Sequence, residues 1–380
     1  MWPSNRLQAL MNVEHPIVQA PMIVQKPLFP LDRGFDFFYG TWWGAKDYFS
    51  PQFMMNNHEH IDDDTEYPAD FYSTHALSDS AVEFVQTQID QDRPFYLYLA
   101  HYAPHKPIQA PKERVEQCRE RYRVGFEKLQ AARFARQQEL GVLPENGELA
   151  AGMPHWDKLN EDQQKKWTTT MATYAAMIEI MDDGIGELIN LLKKRGQYEN
   201  TLFLVFSDNG STKEGKGDDT YSRLSNTPFK GMKAQTHEGG IASPLIVTWP
   251  ATLSEYAGRV RHGPCHIIDL LPTVLDATFL SFPKEFNGGH PEAPDGESLL
   301  GMVAGKPHNQ RPLFWEHGGR RAVYQNGWKL VGSKGKWELY NLTDDPAEQH
   351  NLAKRFPERV NELSQDWMKW AHKNHVLPKS

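Results

Sequence analysis

The sequence predicts an α/β fold, in which a mostly parallel sheet is flanked by helices and followed by a small C-terminal antiparallel sheet plus one helix. Apolar runs of strand length alternate along the chain with longer segments of helical periodicity, which is typical of a parallel sheet with helices on both faces. After residue 306 the pattern changes to short strand-like runs. An Asn-Gly pair separates two of them, which indicates a hairpin.

The helices are predicted from apolar residues at helical spacing. Residues 72–89 carry such a face through Ala76, Leu77, Ala81 and Val85. The same argument, or a charged composition typical of a solvated helix, predicts helices over 119–138, 170–194 and 267–277, and an amphipathic helix near the C-terminus.

The strands are predicted from short apolar runs bounded by turn residues. Residues 94–100 form an aromatic run after Pro94, and residues 201–206 and 244–249 are further buried runs. Residues 1–28 contain short apolar runs interrupted by prolines, which restrict any strand there to a sheet edge. We therefore expect an atypical N-terminal segment over 1–28, an α/β domain over 29–306 and a C-terminal subdomain over 307–380.

Composition excludes several classes of protein. The chain has 380 residues, 39% of them hydrophobic, so it can bury a sizeable core. A formal net charge of −8 argues against a nucleic-acid partner, and no run approaches the roughly 18 apolar residues of a membrane span. The N-terminus lacks the basic and apolar layout of a signal peptide, so the sequence does not indicate a compartment. The oligomeric state stays open.

Two short segments carry the main candidate site. Asp208 and Asn209 follow the 201–206 strand, and ligands of open parallel sheets bind at the carboxyl ends of strands. Lys233 and His237 follow shortly after, before a Glu-Gly-Gly turn. Hard oxygen donors for a divalent cation beside positive charge suit an anionic ester. Taken singly, these residues are better interpreted as an Asx turn, a surface lysine and a loop histidine.

Other residues are weaker candidates. His105 lies in a proline-rich loop after the 94–100 run, where it is either a packed loop residue or a ligand-binding imidazole. His58 and His60 precede the acidic residues 62–64 and could form a metal site, but a solvated acidic loop is the better interpretation. Glu316 and His317 could point at the cleft, but an ordinary structural position is again the better interpretation. Neither cysteine belongs to a Cys-x-x-Cys pair, so we expect no zinc site and no redox pair; a disulfide between the two stays open.

Several short motifs occur along the chain: Arg33-Gly-Phe-Asp-Phe-Phe-Tyr-Gly40, Ala103-Pro-His-Lys-Pro107, Ser207-Asp-Asn-Gly210, the loop 227–240, Ile268-Asp-Leu-Leu-Pro-Thr273, Trp328-Lys-Leu330 and Leu339-Tyr-Asn-Leu342. In this order and spacing, they together resemble the sulfatase family of the alkaline-phosphatase superfamily. The central helix from Tyr174 to Gly186 is most similar to that of bacterial arylsulfatases.

The resemblance implies hydrolysis of a small-molecule or glycan sulfate ester on an alkaline-phosphatase-like fold. It implies that Asp208 and Asn209 ligate calcium and that Lys233 and His105 are catalytic. It further implies that Lys233, His105 and His237 bind the substrate. In the family the nucleophile is a formylglycine, made from the Cys or Ser of a Cys/Ser-x-Pro-Ser/Ala-Arg motif. The negative charge of the sulfuryl group is then met by preorganised cations.

The sequence departs from the family at its front. No nucleophile motif is found in the 380 residues, and the Asp-Asp turn that supplies two further calcium ligands in the family is also missing. About 30 residues precede Arg33, where the family needs on the order of a hundred. We therefore expect an N-terminally truncated sulfatase with a weakened calcium site, no formylglycine, and little or no activity of its own.

Two alternatives remain open. A phosphodiesterase or phosphonate hydrolase of the same superfamily would use a similar cradle of cations for a tetrahedral anion. A non-catalytic module that binds anions or sulfated glycans would retain His105 and Lys233 without a nucleophile. Rates on different esters distinguish the first alternative, and binding without turnover distinguishes the second.

Overall fold

A computed structural model of the chain describes residues 29–42, 46–61, 66–145, 147–149, 153–213, 220–286, 289–307, 311–333 and 335–377. The chain divides into two compact units. One consists of Met1–Val124 and Asn160–Thr201, and the other of Gly125–Leu159 and Leu202–Ser380. The three segments expected from the sequence, with a boundary at 306, stay a prediction.

The helices and strands of the described residues are numbered here in chain order. The α-helices are α1 (Ser73–Asp90), α2 (Lys112–Arg119), α3 (Phe126–Glu139), α4 (Glu161–Lys194), α5 (Thr220–Ser225), α6 (Glu238–Ile241), α7 (Pro250–Leu253), α8 (Leu270–Ala277), α9 (Leu300–Val303) and α10 (Pro357–Lys373). The strands are β1 (Tyr39–Thr41), β2 (Met54–Asn56), β3 (Glu59–His60), β4 (Phe203–Phe206), β5 (Leu245–Thr248), β6 (Leu313–His317), β7 (Arg320–Gln325), β8 (Trp328–Ser333) and β9 (Lys336–Asn341).

In the first unit, helices α1, α2 and α4 surround a core in which α4 is the central element. The predicted helix over 72–89 is confirmed as α1. Helix α4 begins nine residues before the predicted start at 170, because Asn160 and Gln163 form a reciprocal capping box. Its first turns are polar, so an apolar pattern could not reveal them. No helix of the described residues is long and apolar enough to cross a bilayer.

The predicted helix over 119–138 is wrong in its extent. Helix α2 ends at Arg119, and α3 begins only at Phe126. Gly125 separates the two with φ = 92°, and a Cβ at this position would lie 2.5 Å from Cγ of Trp156. A left-handed glycine pressed against a tryptophan therefore breaks the helix that the charged composition suggested.

The predicted strand over 94–100 is also wrong, since none of the described residues forms a β-ladder with it. An apolar run predicts burial, but a strand needs a hydrogen-bonded neighbour. In this segment Tyr96 is 46% exposed. Only some of the side chains in this aromatic run are therefore packed in the interior.

Strands β4 and β5 form a two-stranded sheet whose direction the sequence mispredicted. They pair antiparallel, with Phe206 opposite Leu245 and Phe203 opposite Thr248. The alternation of strands and helices predicted parallel pairing. The segment between the strands instead returns to the sheet end from which it left, so β5 must run in the opposite direction to β4. The same return brings the segments that follow β4 and precede β5 to one end of the pair.

The predicted C-terminal sheet with a helix is confirmed. Strands β6 to β9 form an antiparallel meander in chain order. Asn326 and Gly327 turn between β7 and β8 with φ = 51° and 81°, as an Asn-Gly hairpin requires. Helix α10 packs on this sheet through a core of fully buried side chains: Val323, Leu330, Leu339, Leu363, Trp367 and Ala371.

Candidate functional site

The site residues of the second unit lie on two segments that main-chain hydrogen bonds hold together. The amide of Lys233 donates to the carbonyl of Ser211 at 3.0 Å. Asn226 bridges the same region, because its Oδ1 accepts the Ser211 amide at 2.7 Å and its Nδ2 donates to the carbonyls of Ser211 and Gly231, each at 3.2 Å. The main chain of Lys233 is thereby fixed beside the segment that contains Asp208 and Asn209.

Three glycines make this close approach possible. The Gly210 amide donates to the Gly240 carbonyl at 3.0 Å, and the Gly239 amide donates to the carbonyl of Lys230 at 2.7 Å. A Cβ on Gly210 would lie 1.9 Å from the carbonyl oxygen of Gly239, and one on Gly240 would lie 2.2 Å from that of Gln235. Both neighbouring atoms belong to the protein's own backbone, so only glycine fits at these positions.

Asp208 and Asn209 have oxygen atoms suited to a cation. Asp208 is exposed, and no cation of the described residues forms an ion pair with it. Asn209 is half-buried, and its Nδ2 donates to the Gly210 carbonyl at 2.9 Å, which leaves Oδ1 as an acceptor. These two adjacent donors fit a hard cation such as calcium as part of its ligand set.

Lys233 is half-buried, and no carboxylate of the described residues pairs with its ammonium group. An ammonium group without a carboxylate partner keeps its three donors available for an anionic ligand. Ala234, the next residue, has φ = 68°, which is uncommon for a residue with a Cβ. The turn after Lys233 is therefore held in a specific conformation by its surroundings.

His237 binds within the protein. Its Nε2 lies 3.1 Å from Oε2 of Glu338 on β9, and its side chain is 18% exposed. Burial lowers the pKa of His237, and the hydrogen bond to Glu338 only partly offsets this. The role of His237 in substrate binding stays a prediction. At neutral pH its ring is uncharged, so it would bind a substrate as a neutral imidazole.

His105 belongs to the other unit and is exposed. Its Nδ1 lies 2.7 Å from the carbonyl of Lys106, and its own carbonyl accepts the hydroxyl of Tyr48 at 2.7 Å. The loop is thus anchored while Nε2 of the ring faces no hydrogen-bond partner among the described residues. The sulfate-binding role of His105 remains a prediction.

A second histidine in this loop, His101, was not singled out from the sequence. It is largely buried, and neither ring nitrogen has a hydrogen-bond partner among the described residues. Burial lowers the pKa of His101 to about 4, so the ring is neutral at physiological pH. An imidazole with unmet nitrogens inside a protein is unusual, and only the structure reveals it.

His101 should make the protein sensitive to acid. Its pKa in the folded state lies below the value of 6.5 in an unfolded chain, so stability present above pH 6.5 is lost as the pH falls towards 4. We expect a loss of up to about 3 kcal/mol over this range, which His101→Phe should largely remove. Thermal unfolding at pH 4.5, 5.5 and 7 measures it, with the exposed His75→Phe as control. An acid response equal in both variants would contradict the assignment.

The remaining sequence candidates form contacts of their own in the structure. His58 is exposed, with its Nε2 3.7 Å from Asp32, while residues 62–64 lie outside the described residues. Glu316 and His317 end strand β6 and are exposed, and Oε1 of Glu316 accepts the Gly319 amide at 2.7 Å. Cys118 and Cys265 are free thiols. None of these groups shares a described contact with Asp208 or Lys233.

A metal-binding geometry is also found among three residues that do not include the predicted ligands. Ligand atoms of Glu127, His155 and Asp157 lie within 4.8 Å of one another. Both carboxylate oxygens of Glu127 already accept the Trp156 amide, at 3.1 and 3.3 Å. The cluster is therefore explained by the turn that it stabilises.

The structure adds a buried ion cluster that sequence reasoning missed. Lys329 on β8 is fully buried; its Nζ donates to Glu238 and lies 3.0 Å from Oε1 of Glu348, outside good hydrogen-bond geometry. Glu348 is also fully buried, and its Oε2 accepts the Glu238 amide at 2.7 Å. The cluster ties the first residue of α6 to the C-terminal sheet. A lysine inside a strand-like run was the only signal for it.

Comparison with known proteins gives consistent matches. The model of the family described as Sulfatase matches residues 21–279. The chain is 30% identical over 372 residues to an uncharacterized sulfatase of Schizosaccharomyces pombe, covering 87% of the chain and 66% of that protein. It is 27% identical over 289 residues to the arylsulfatase of Klebsiella aerogenes, covering 65% of the chain and 61% of that protein. The chain thus spans less than two thirds of these relatives.

Solved structures confirm the predicted fold class. The crystal structure of Ps i-CgsB in complex with k-i-k-neocarrahexaose matches with a TM-score of 0.66 and 25% identity, covering 92% of this chain and 69% of that chain. The same fold occurs in the putative sulfatase yidJ of Bacteroides fragilis, with a TM-score of 0.60, 19% identity and coverage of 90% and 67%. The α/β class with its C-terminal antiparallel sheet is therefore established.

Proposed function

Since the chain belongs to the sulfatase family, we propose that the site formed by Asp208, Asn209 and Lys233 binds a sulfate ester. The observation that supports the proposal is the hydrogen bond between the Lys233 amide and the Ser211 carbonyl, which joins the main chain of Lys233 to the segment that contains the two predicted cation ligands. A sulfate ester presents oxygens that an ammonium group and a metal ion can share.

Calcium would be held by Asp208 and Asn209, whose oxygens are available in the structure. When bound, it would supply positive charge for the sulfuryl oxygens. These residues give two of the six to eight oxygen ligands that calcium prefers, so we expect weak affinity in this chain. Lys233 contributes a fixed cation that does not depend on the metal.

Turnover by this chain alone is expected to be weak or absent. The resemblance assigns the nucleophile to a formylglycine, and the 380 residues contain no motif from which it is made. Removal of a nucleophile lowers rates by orders of magnitude. Robust calcium-dependent hydrolysis of an aryl sulfate by the purified chain would contradict this expectation.

The substrate is proposed to be a sulfated glycan. The support is the solved relative whose complex contains k-i-k-neocarrahexaose, which aligns with 92% of this chain. A simple aryl sulfate serves as the minimal ligand, because it shares the sulfuryl group and lacks the sugar. Tighter binding of a carrageenan oligosaccharide than of an aryl sulfate would support a glycan site.

The test is the loss of anion binding on removal of Lys233. In Lys233→Ala we expect aryl sulfate binding to weaken at least about tenfold, because a charge-assisted contact is lost. Isothermal titration with and without calcium measures it. Lys336→Ala is the matched control, since Lys336 is an exposed lysine in the same unit.

Three further results of the same titration are informative. Equal affinity of Lys233→Ala and the wild-type chain would refute the assignment of Lys233. Stronger binding of an aryl phosphate diester or a phosphonate than of the aryl sulfate would favour the phosphoester alternative. Binding of sulfated glycan without turnover, even when calcium is saturating, would favour a non-catalytic module.

A further inference from the structure

The turn that contains Lys233 is connected to the C-terminal sheet by a hydrogen-bond chain. Nζ of Lys230 donates to Oη of Tyr340 at 3.0 Å, and this hydroxyl donates to Oε2 of Glu338 at 2.6 Å. The same Oε2 lies 3.1 Å from Nε2 of His237 and 3.5 Å from Nζ of Lys230. One carboxylate oxygen thus contacts residues on both sides of Lys233.

The hydrogen bonds determine the protonation states of Glu338 and His237. Burial alone would raise the pKa of Glu338, but hydrogen bonds from Tyr340 and His237 outweigh it, so the pKa is lowered and the group is ionised. An ionised carboxylate can only accept, so Nε2 of His237 carries the hydrogen. The neutral ring therefore has its lone pair on Nδ1. The ring links the loop to the sheet through this hydrogen bond and contributes no charge.

We propose that Glu338 is a positioning residue that, through His237 and Lys230, holds the turn of Lys233 in its anion-binding conformation. The inference rests on the proposed function, because the sulfate anion is taken from it. The hydrogen bonds of Glu338 are observed independently of that function. Lys230 and His237 flank Lys233 by three and four residues, so one carboxylate spans the turn. The amide of Gly239, which donates to the Lys230 carbonyl, closes the same turn.

Electrostatics and positioning predict opposite results for one substitution. Glu338→Ala removes a negative charge that contacts the turn of Lys233 through Lys230 and His237, so a purely electrostatic role predicts tighter binding of an anion. A positioning role predicts weaker binding, because the turn loses its acceptor. Glu338→Gln removes the same charge but keeps an acceptor oxygen for His237 and Tyr340. It should therefore restore affinity to at least the wild-type level.

The experiment combines titration with hydrogen exchange on the full chain. With an aryl sulfate we expect about tenfold weaker binding in Glu338→Ala and no weakening in Glu338→Gln. Amide exchange in residues 230–240 should accelerate in the alanine variant alone. Glu285→Ala, which removes an exposed glutamate of the same unit, controls for net charge. Thermal unfolding verifies that each variant is folded.

The outcomes separate this inference from the proposed function. Unchanged exchange in residues 230–240 of Glu338→Ala, or tighter sulfate binding by that variant, would overturn the positioning role. If the wild-type chain binds no sulfate while exchange still accelerates in Glu338→Ala alone, the proposed function fails and the positioning of the turn stands. If the alanine variant is unfolded, equal exchange in Glu338→Gln and the wild-type chain supports the role, and faster exchange in Glu338→Gln contradicts it.

Discussion

Replacement of Lys329 by methionine is expected to lower the stability of the second unit by about 3–5 kcal/mol. Lys329 and Glu348 are both fully buried, and Glu238 is 17% exposed. Without the ammonium group, two carboxylates face each other inside the protein with no counterion. For a unit of this size the loss corresponds to a fall of roughly 10 °C in the midpoint of thermal unfolding.

The effect should depend on pH in a defined direction. Burial raises the pKa of Glu348 to about 7 even with Lys329 present. A carboxylate whose pKa is raised on folding loses stability as the pH rises from 4.5 through the folded value. The variant should therefore be destabilised more at pH 8 than at pH 5.

Unfolding of the wild-type chain and Lys329→Met at both pH values tests this expectation. The matched control is Lys336→Met, an exposed lysine on the neighbouring strand, which should change stability by less than about 0.5 kcal/mol. Addition of Glu348→Gln to Lys329→Met should restore part of the loss at pH 8. Equal stability of both single variants would show that the cluster contributes nothing.

Replacement of Gly210 by alanine is expected to abolish anion binding and to lower stability by about 2–3 kcal/mol. A Cβ at this position would lie 1.9 Å from the carbonyl oxygen of Gly239 and 2.8 Å from its carbonyl carbon. Both neighbours are backbone atoms, so no side chain can rotate away. The segment of Asp208 would have to separate from the segment of Lys233.

Gly301 provides the matched control. It lies in helix α9 of the same unit, and the nearest atom to a Cβ there would be Cδ of Lys306 at 3.9 Å. Gly301→Ala should be neutral or stabilising by up to about 1 kcal/mol, because alanine favours helix. Thermal unfolding and sulfate titration of the two variants give the comparison. Normal binding by Gly210→Ala would refute the close packing of the two segments.

Much of the fold could be predicted because it depends on local patterns. The periodicity of α1, the Asn-Gly turn between β7 and β8, and the amphipathic α10 are all visible in short windows of sequence. The missed features depend on partners. The start of α4 required a capping box, and the direction of β5 required knowledge of where its chain returns.

The candidate site divides in the same way. Asp208, Asn209 and Lys233 could be proposed from the sequence because a strand end and a glycine-rich turn are local signals. The partners Glu338 and Glu348 lie about a hundred residues away from His237 and Glu238 along the chain. No pattern in one sequence connects residues at such separation, so their role could only come from coordinates.

The ion cluster around Lys329 affects which fragments of the protein can be expected to keep their structure. A fragment that stops at residue 306 would contain every predicted metal and anion contact of the second unit. It would nevertheless leave the Glu238 carboxylate without its ammonium partner and His237 without its acceptor. If the proposed positioning of the turn is right, excision of residues 307–380 weakens anion binding although it removes none of the predicted ligands of the second unit.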